Sequence, residues 1–302
     1  MNSSESLETL PLELLQLIAN YLGDFLLVAR FCRPFLQCKF SHCISENLYL
    51  IATGNDSFIL LSWLLSKKCP KYERIRQSGY IIPPINAAGF GNLANLLMLK
   101  KADFPFTQSV MTTAAKNGHI QIMEQLIKWK ITPTDDTSAY AMGWGQLDVC
   151  KWLTSNRWFV ITQGGKKMAA RNGHLKILIW LYDSFPFEFP GSSELHAAAQ
   201  GGQLEVVQFL WANMSTNSCM LVKSNILEVA LMAGQVHVAN WLELMNVKLK
   251  RETSPQISII AASGDSTMTL DWLYSRGFVL GDKCLCVSRG ETKKWLMENV
   301  FI

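Results

Sequence analysis

The sequence predicts an all-α protein, a helical solenoid of about seven to nine repeats preceded by a small, separate helical domain. Two observations support this fold class. A 13-residue pattern of small residues, a glycine and then apolar residues at helical spacing recurs seven times at a nearly constant period. The first fifty residues are also rich in apolar side chains but lack the pattern, which indicates a different helical unit.

The repeated pattern is clearest in AARNGHLKILIWL, residues 169–181, in which Gly173 is the anchoring glycine. Two further copies, around Gly54 and Gly290, are degenerate. The seven clear copies have successive gaps of 27, 27, 28, 29, 32 and 30 residues and are anchored at Gly91, Gly118, Gly145, Gly173, Gly202, Gly234 and Gly264. Self-similarity at such a period is typical of a stacked repeat array.

Each position of the repeat has a physical reason. Small residues three and four positions before the glycine, such as Ala169 and Ala170, allow two helices to approach closely. The glycine fits the left-handed residue that ends a helix. Apolar residues two, four, five and eight positions after it form one face of a second helix. Such a helix pair buries that face only against the next pair, so stability depends on stacking.

The pair Gly173-His174 raises the question of whether this histidine is catalytic. The same slot holds His119 in another copy and glutamine or asparagine in most of the rest. A polar residue at the start of a helix fits that variation, whereas a catalytic base does not. We therefore predict a structural role. The tryptophans that end several copies are expected to pack between repeats; they are Trp152, Trp180, Trp241 and Trp272.

The segment SELHAAAQGGQLEVVQFLW, residues 193–211, resembles an ankyrin repeat, with Leu195-His196 at the place of the family's Thr-Pro-Leu-His turn. The other copies lack that turn, and most units are shorter than the usual ~33 residues. This style resembles divergent ankyrin repeats of protists and of the large DNA viruses that infect them. The resemblance extends over residues 48–302 and implies a protein-binding solenoid with reduced loops between its helix pairs.

Residues 8–40, ETLPLELLQLIANYLGDFLLVARFCRPFLQCKF, predict two or three short apolar helices. The string resembles an F-box, a family that docks onto a Skp-type adaptor and through it joins a cullin-based ubiquitin ligase. The resemblance implies an adaptor-binding surface made of Leu10, Pro11, Leu14, Ile18, Leu22 and Phe35. The alternative is that these helices only cover the exposed end of the repeat stack, because solenoids need capped ends.

These patterns divide the chain into an F-box-like helical domain (1–46), a degenerate first repeat with its connector (47–85), and a divergent ankyrin-repeat solenoid (86–302). The net charge of +4 and the absence of a basic stripe argue against nucleic-acid binding. The longest apolar run, FILLSWLL at 58–65, is too short to span a bilayer. Eight scattered cysteines and no secretory signal favour the cytoplasm, with a nuclear location left open.

None of the candidate chemical motifs has all the residues, spacing or structural context that its chemistry requires, so we expect neither catalysis nor a cofactor or metal. GFGNLA at 89–94 imitates a dinucleotide fingerprint but has no strand before it, and TQGGKK at 162–167 lacks the first glycine of a phosphate loop. Cys284 and Cys286, and the group from Cys32 to Cys43, do not have zinc-binding spacing and are expected to be buried thiols.

The sequence thus favours a substrate-recognition subunit of a Skp/cullin/F-box ubiquitin ligase, a monomer within that complex, whose solenoid binds an unidentified target protein. The target surface is expected at the ends of the first helices, at Lys116, Trp144, Arg171, Gln200 and Met232. A non-catalytic ankyrin scaffold with capping N-terminal helices is the alternative. A hydrolase or nucleotide-binding enzyme is a third hypothesis, which requires a pocket that linear stacking does not readily form.

Overall fold

The computed structural model describes residues 82–185, 187–214 and 225–301. All regular secondary structure in these ranges is helical, with sixteen helices and no strand. The predicted F-box-like domain and most of the connector, including all six adaptor-binding residues, lie outside the described residues. None of the sixteen helices is long and apolar enough to cross a bilayer.

The chain divides into two compact units, Met1–Pro133 and Thr134–Ile302. The described helices of the first unit are α1 (Ile82–Gly89), α2 (Leu93–Lys101), α3 (Gln108–Lys116) and α4 (Ile120–Lys128). Those of the second unit are α5 (Asp135–Gly143), α6 (Leu147–Ser155), α7 (Gln163–Arg171), α8 (Leu175–Ser184), α9 (Ser192–Gly201), α10 (Leu204–Asn213), α11 (Ile226–Met232), α12 (Val236–Leu244), α13 (Ser254–Ser263), α14 (Thr267–Ser275), α15 (Asp282–Val287) and α16 (Gly290–Asn299).

An anchoring glycine closes the hairpin between the first and second helix in six of the seven predicted repeats. Gly173 has a φ of +81°, in the left-handed region that favours glycine. The N–H of the next residue, His174, donates to the carbonyl of Ala169 over 2.9 Å. That bond gives a C-terminal carbonyl of α7 a partner, as in a Schellman motif. The same backbone conformation occurs at Gly91, Gly118, Gly145, Gly202 and Gly234.

The seventh anchor is not the predicted Gly264. Gly264 has a φ of −87°, and the next residue, Asp265, takes the left-handed conformation with a φ of +57°. Ser266 N–H then donates to the Ala261 carbonyl over 2.9 Å, which moves the hairpin register by one residue. Asp tolerates this conformation better than most residues. The Asp265 carboxylate also accepts hydrogen bonds from the backbone N–H and the hydroxyl of Thr292. Aspartate in the left-handed position therefore provides a contact that glycine lacks.

A second left-handed residue ends the second helix of most repeats, twelve positions after the first. These second left-handed residues are Asp103, Lys130, Arg157, Asn246 and Gly277; the last of them lies twelve positions after Asp265. Only one of these is glycine, so the sequence does not reveal this turn. The helices α8 and α10 end without it, at Phe185 and Met214.

Most of the positions that the repeat pattern predicted are in the core, but the residue two positions after the glycine, such as Leu175, is only half-buried. Around Gly173, the two alanines of α7 and the apolar residues four, five and eight positions later are at most 1% exposed: Ala169, Ala170, Ile177, Leu178 and Leu181. Within the second unit each first helix packs against its own second helix and against the next first helix, in the order α5, α7, α9, α11, α13 and α15. Each hairpin therefore buries its apolar face against its neighbours.

Three of the four predicted tryptophans pack between repeats. Trp241 lies edge-on to Trp211 with ring centroids 5.7 Å apart, and Trp272 Nε1 donates to Asn240 Oδ1 over 2.7 Å. Trp180 packs against Phe159, which precedes α7, at 5.4 Å. Trp152 is half-buried.

The close approach of neighbouring first helices can be tested by substituting two glycines of the second unit. A Cβ on Gly201 of α9 would overlap the backbone carbonyl of Arg171 on α7, whereas a Cβ on Gly164 would meet nothing within 4 Å. We expect Gly201→Ala to lower the free energy of unfolding by about 1–3 kcal/mol, because the helix backbones must move apart. Gly164→Ala should raise it by about 0.5–1 kcal/mol.

Both glycines lie within helices and neither has a positive φ, so the two variants form a matched pair. Urea denaturation monitored by tryptophan fluorescence measures the free energy of unfolding of each. Equal effects of the two substitutions would contradict the close approach of α7 and α9.

Candidate functional site

The predicted target-binding residues differ in accessibility. Trp144, Arg171 and Gln200 are exposed, whereas Lys116 and Met232 are half-buried. Lys116 belongs to the first compact unit and the other four to the second. The accessible members of the predicted surface are therefore those at the ends of α5, α7 and α9.

These three residues lie at the ends of α5, α7 and α9, which pack side by side in the same register. Asn172 Nδ2 donates to the carbonyl of Gly143 over 2.7 Å, which joins the ends of α5 and α7. A Cβ on Gly143 would lie 2.8 Å from the Cβ of Met168, and one on Gly201 would overlap Arg171. Such contacts place the last turns of the three helices next to one another.

An aromatic pair is exposed towards the end of α5. Tyr140 and Trp144 are one turn apart on α5, with ring centroids 5.3 Å apart and an interplanar angle of 32°. Tyr140 is 38% exposed and Trp144 is 36% exposed. Trp144 thus packs on a neighbour and still presents a large apolar surface to solvent. Sequence reasoning missed Tyr140, although its position four residues before Trp144 on one helix predicts the contact.

A pair of cations is exposed on α7. Lys167 and Arg171 are one turn apart on α7, both exposed, and neither forms an ion pair with another described residue. They lie in the segment 149–182, which contains no acidic residue and six basic ones: Lys151, Arg157, Lys166, Lys167, Arg171 and Lys176. We call Tyr140, Trp144, Lys167 and Arg171 the aromatic–basic patch; the contacts of Gly143 with Met168 and Asn172 lie between its aromatic half and its basic half. Gln200 on α9 borders it.

A buried ionic cluster lies next to the basic helix. Lys166 Nζ is 2.8 Å from Glu188 Oε2 and 3.3 Å from Glu194 Oε1, and Ser193 Oγ donates to Glu194 Oε2 over 2.8 Å. Lys166 and Glu194 are both buried. Burial lowers the pKa of Lys166, but the hydrogen bond to Glu188 and the charges of both carboxylates raise it above its ordinary value. The cluster ties α7 to the loop before α9 and to α9 itself.

The hydroxyl of Tyr182 is buried close to the same cluster. It has no hydrogen-bond partner among the described residues. Burial, followed by the negative charges of Glu194 and Glu188, raises its pKa, so the hydroxyl keeps its proton. The cluster is therefore an ionic contact whose polar groups are only partly satisfied, a type of contact that costs stability unless its geometry is maintained.

The repeat register contains a signal for this cluster that the sequence reasoning missed. The residues seven and eight positions before the left-handed residue are buried in every first helix from α3 to α13. In α11 they are Ile226 and Leu227, as a core position requires. In α7 one of them is Lys166, and in α9 one is Glu194. Opposite charges at core positions of consecutive repeats indicate a buried ion pair.

The loop between α8 and α9 exposes two more aromatic side chains. Phe187 is 93% exposed and Phe189 is 71% exposed, on either side of the anchored Glu188. The start of the loop is held by Phe185, which stacks on Phe159 at 5.8 Å and meets Trp180 at the same distance. The loop thus carries two solvent-facing phenylalanines on a base that is fixed at both ends.

The two histidines after anchoring glycines join neighbouring hairpins, which confirms their predicted structural role. His119 Nε2 lies 3.0 Å from the carbonyl of Gly89. The ring of His174 lies against Gly145, where a Cβ would be 2.7 Å from Nδ1. Both residues begin a helix, yet neither side chain caps it. Each reaches back to the preceding repeat instead.

The chemical motifs have structural explanations in the described part of the chain. GFGNLA runs from the last residue of α1 into α2, and Thr162 Oγ1 of TQGGKK accepts a hydrogen bond from Gly165 N–H at the start of α7. No group of three His, Cys, Asp or Glu residues within the described ranges could hold a metal ion. Cys284 is buried as predicted, but Cys286 is exposed because it lies on the outer side of the short helix α15, so that prediction was wrong. Burial raises the pKa of the Cys150 thiol to about 12.

Comparison with known proteins adds little. No family model matches the sequence, and no curated protein matches it. A solved structure of a pentatricopeptide repeat protein from maize is similar to the chain with a TM-score of 0.40 and 11% sequence identity. The alignment covers 97% of this chain and 45% of that one, so the chain spans less than half the length of its structural neighbour.

The role of His174 predicts a specific pH dependence. Burial lowers its pKa from the ordinary value of 6.5, and the Gly143 carbonyl offsets this only in part. The unfolded chain therefore binds the proton more tightly, and the contribution of His174 to stability is present above pH 6.5 and lost as the pH falls through the folded pKa. We expect His174→Gln to keep wild-type stability at pH 7.5 and to lose less of it at pH 5 than the wild type.

Gln203 and Gln235 occupy the same slot in the next two repeats, so the replacement fits the joint. Urea midpoints at the two pH values measure the effect. An identical acid-dependent loss in both proteins would show that His174 is not buried as described.

The buried cluster predicts a non-additive pair of substitutions. Lys166→Met leaves Glu194 as an uncompensated buried charge and should lower the free energy of unfolding by about 3–5 kcal/mol. Adding Glu194→Leu removes that charge, so the double variant should be more stable than Lys166→Met alone. Urea denaturation checks both values.

The exposed neighbour Lys167 provides the control, since Lys167→Met should change stability by no more than about 0.5 kcal/mol. A double variant that is less stable than Lys166→Met would contradict the ionic coupling between α7 and α9.

Proposed function

We propose that the chain is a substrate-recognition subunit of a Skp/cullin/F-box ubiquitin ligase, in which the N-terminal helices bind the adaptor and the helical repeats bind a target protein. The observation that carries the target-binding part is the aromatic–basic patch, formed by exposed side chains of two adjacent first helices. The resemblance of residues 8–40 to an F-box supports the adaptor-binding part. The ankyrin-like repeat at 193–211 supports a protein-binding role for the helical hairpins.

The proposed mechanism is proximity. The chain performs no bond chemistry itself; it holds a target close to a ubiquitin carrier that the cullin brings to the complex. Linking two binding surfaces in one chain makes the encounter of target and carrier effectively intramolecular, which raises their local concentration without a new contact.

The patch has the composition of a protein interface. Tyr, Trp and Arg are the residues that most often carry binding energy, because they combine a large contact area with few rotatable bonds or with several hydrogen-bond donors. Trp144 and Arg171 provide two of these types on neighbouring helices. Because the helix ends are joined by the Asn172–Gly143 hydrogen bond, a partner meets a preorganised surface.

The adaptor-binding residues Leu10, Pro11, Leu14, Ile18, Leu22 and Phe35 are proposed from the sequence alone, since they lie outside the described residues. The alternative function is a non-catalytic ankyrin scaffold in which the same helices cap the repeat stack. Both functions use the patch for target binding, and only the adaptor distinguishes them.

Co-purification of the full-length chain with a Skp-type adaptor tests the proposal. We expect capture by the wild type and a loss of roughly tenfold or more with Leu14→Asp, because a charge at the centre of an apolar interface leaves an unpaired, desolvated group. Leu14→Met is the matched control, since it keeps the apolar volume and should retain capture.

Arg171→Glu should leave adaptor capture unchanged, because it alters only the proposed target surface. Absence of capture by the wild type would favour the scaffold. Equal capture by Leu14→Asp and the wild type would refute the proposed docking surface.

A further inference from the structure

We infer that the loop between α8 and α9, residues 185–191, inserts Phe187 and Phe189 into an apolar, basic surface of a partner protein. We call this segment the phenylalanine loop. The inference goes beyond the proposed function, because it concerns a contact outside both the aromatic–basic patch and the adaptor-binding residues. It rests on the exposure of the two rings, on the charge of the loop and on the interactions that hold the loop in place.

The two phenylalanines are exposed although a similar string elsewhere in the chain is packed. The loop between α2 and α3 also contains the sequence Phe-Pro-Phe. There Phe104 is 3% exposed, and Phe106 lies edge-on to Trp129 with ring centroids 5.2 Å apart. In the phenylalanine loop only the first ring is packed in this way, whereas Phe187 is 93% and Phe189 is 71% exposed. Contacts within the described ranges therefore do not account for these two side chains.

A projecting pair of aromatic rings requires a partner that surrounds them. Because a phenylalanine buries roughly 150–250 Å² when it is enclosed, Phe187 and Phe189 together offer on the order of 300 Å² of apolar area. Each partner in a typical stable interface buries about 800 Å². The two rings therefore anchor a larger contact, and apolar side chains of the partner must lie on more than one side of them.

The charge of the loop selects a basic partner. The string DSFPFEFPGSSE, residues 183–194, contains three carboxylates and no basic residue. Lys166 pairs with two of them, Glu188 and Glu194, and the third, Asp183, is exposed. Three carboxylates and the single ammonium group of Lys166 leave a net negative charge. A partner with Lys or Arg next to its apolar side chains is attracted to this loop, and an acidic partner is repelled.

The same charge argues against two other occupants of an exposed aromatic loop. Aromatic side chains also insert into bilayers, but binding to anionic lipid is strengthened by basic residues beside them, and this loop provides carboxylates instead. A second copy of the chain, joined loop to loop, would bring like charges together at the contact. A basic protein surface is the occupant that suits both the rings and the carboxylates.

The phenylalanine loop is held at its start and in its middle. At the start, Phe185 stacks on Phe159 with ring centroids 5.8 Å apart, and its carbonyl accepts a hydrogen bond from Glu188 N–H over 2.9 Å. In the middle, the Glu188 carboxylate accepts a hydrogen bond from the buried Lys166 over 2.8 Å. This residue lies between the two exposed phenylalanines, so the ion pair fixes the backbone that carries both. A loop fixed in this way loses less entropy when a partner binds.

Selection of disulfide-constrained peptides from a random display library tests the inference. The library is first depleted on the full-length Phe187→Ser/Phe189→Ser variant and then selected on the full-length wild type. We expect the selected peptides to be enriched in aromatic or large aliphatic residues together with Lys and Arg, because the rings need apolar neighbours and the carboxylates need cations. Fluorescence anisotropy with a labelled selected peptide should show binding to the variant that is weaker by roughly tenfold or more. Raising the salt concentration should weaken wild-type binding.

The matched control is Leu244→Ser/Val279→Ser, which also removes two exposed apolar side chains of the second unit. Leu244 is 76% and Val279 is 84% exposed, and neither belongs to the phenylalanine loop. This variant should bind the peptide within about twofold of the wild type, because it keeps both rings. The urea midpoint of Phe187→Ser/Phe189→Ser should equal that of the wild type, because exposed side chains contribute little to stability.

Several results would overturn the inference. They are selection of neutral or acidic peptides, the absence of any peptide that prefers the wild type, or an equal loss of binding in the control variant. A clear decrease in the urea midpoint of the phenylalanine variant would show that another part of the chain covers the rings.

Two further measurements identify the rejected occupants. Binding of the wild type, but not of the phenylalanine variant, to vesicles of phosphatidylserine and phosphatidylcholine would overturn the inference in favour of a bilayer. A dimer in analytical ultracentrifugation that the same variant abolishes would overturn it in favour of a second copy. Adaptor capture is a separate measurement, so its absence would refute the ligase proposal and leave this inference standing.

Discussion

The left-handed turn at the end of each first helix is the constraint on which the other features of this fold depend. At Gly173 the positive φ lets the N–H of His174 reach back to Ala169 and close the helix. The second helix then folds back against the first, so that the alanines and the later apolar residues face one core. In the absence of a Cβ, the turn also leaves room for the polar residue of the following repeat, as Gly145 does for His174. One glycine therefore shapes its own hairpin and the joint to the next.

This constraint is a backbone conformation rather than a residue type, as Asp265 demonstrates. In that repeat the glycine directly follows α13 with a negative φ, and the aspartate takes the left-handed position one residue later. The strain of a non-glycine residue is compensated by two hydrogen bonds from Thr292 to its carboxylate. The turns that close the second helices follow the same principle, since Asp103, Lys130, Arg157 and Asn246 are left-handed without being glycine.

The core of the central repeats of the second unit is not purely apolar. The helix α7 carries one of the buried charges and also part of the candidate surface. Lys166 and Glu194 occupy positions at which α11 buries Ile226 and Leu227. A buried ion pair contributes less stability than apolar packing, but it tolerates few alternative alignments because each charge needs its partner. The charged core and the exposed cations Lys167 and Arg171 are carried by the same helix, which links the arrangement of the repeats to the chemistry of the surface.

The sequence by itself determined the hairpins and most of their apolar core, because these follow from local periodicity and from one backbone conformation. Ala169, Ala170, Ile177, Leu178 and Leu181 are buried as the pattern predicts. It also indicated Trp144 and Arg171 as surface residues. Only the tertiary structure decided that Glu188 joins Lys166 and Glu194, and that Asp265 takes the place of Gly264. The physical reason is that each depends on a contact between side chains or turns of different helices, and a repeating pattern of residue types does not encode which of them meet.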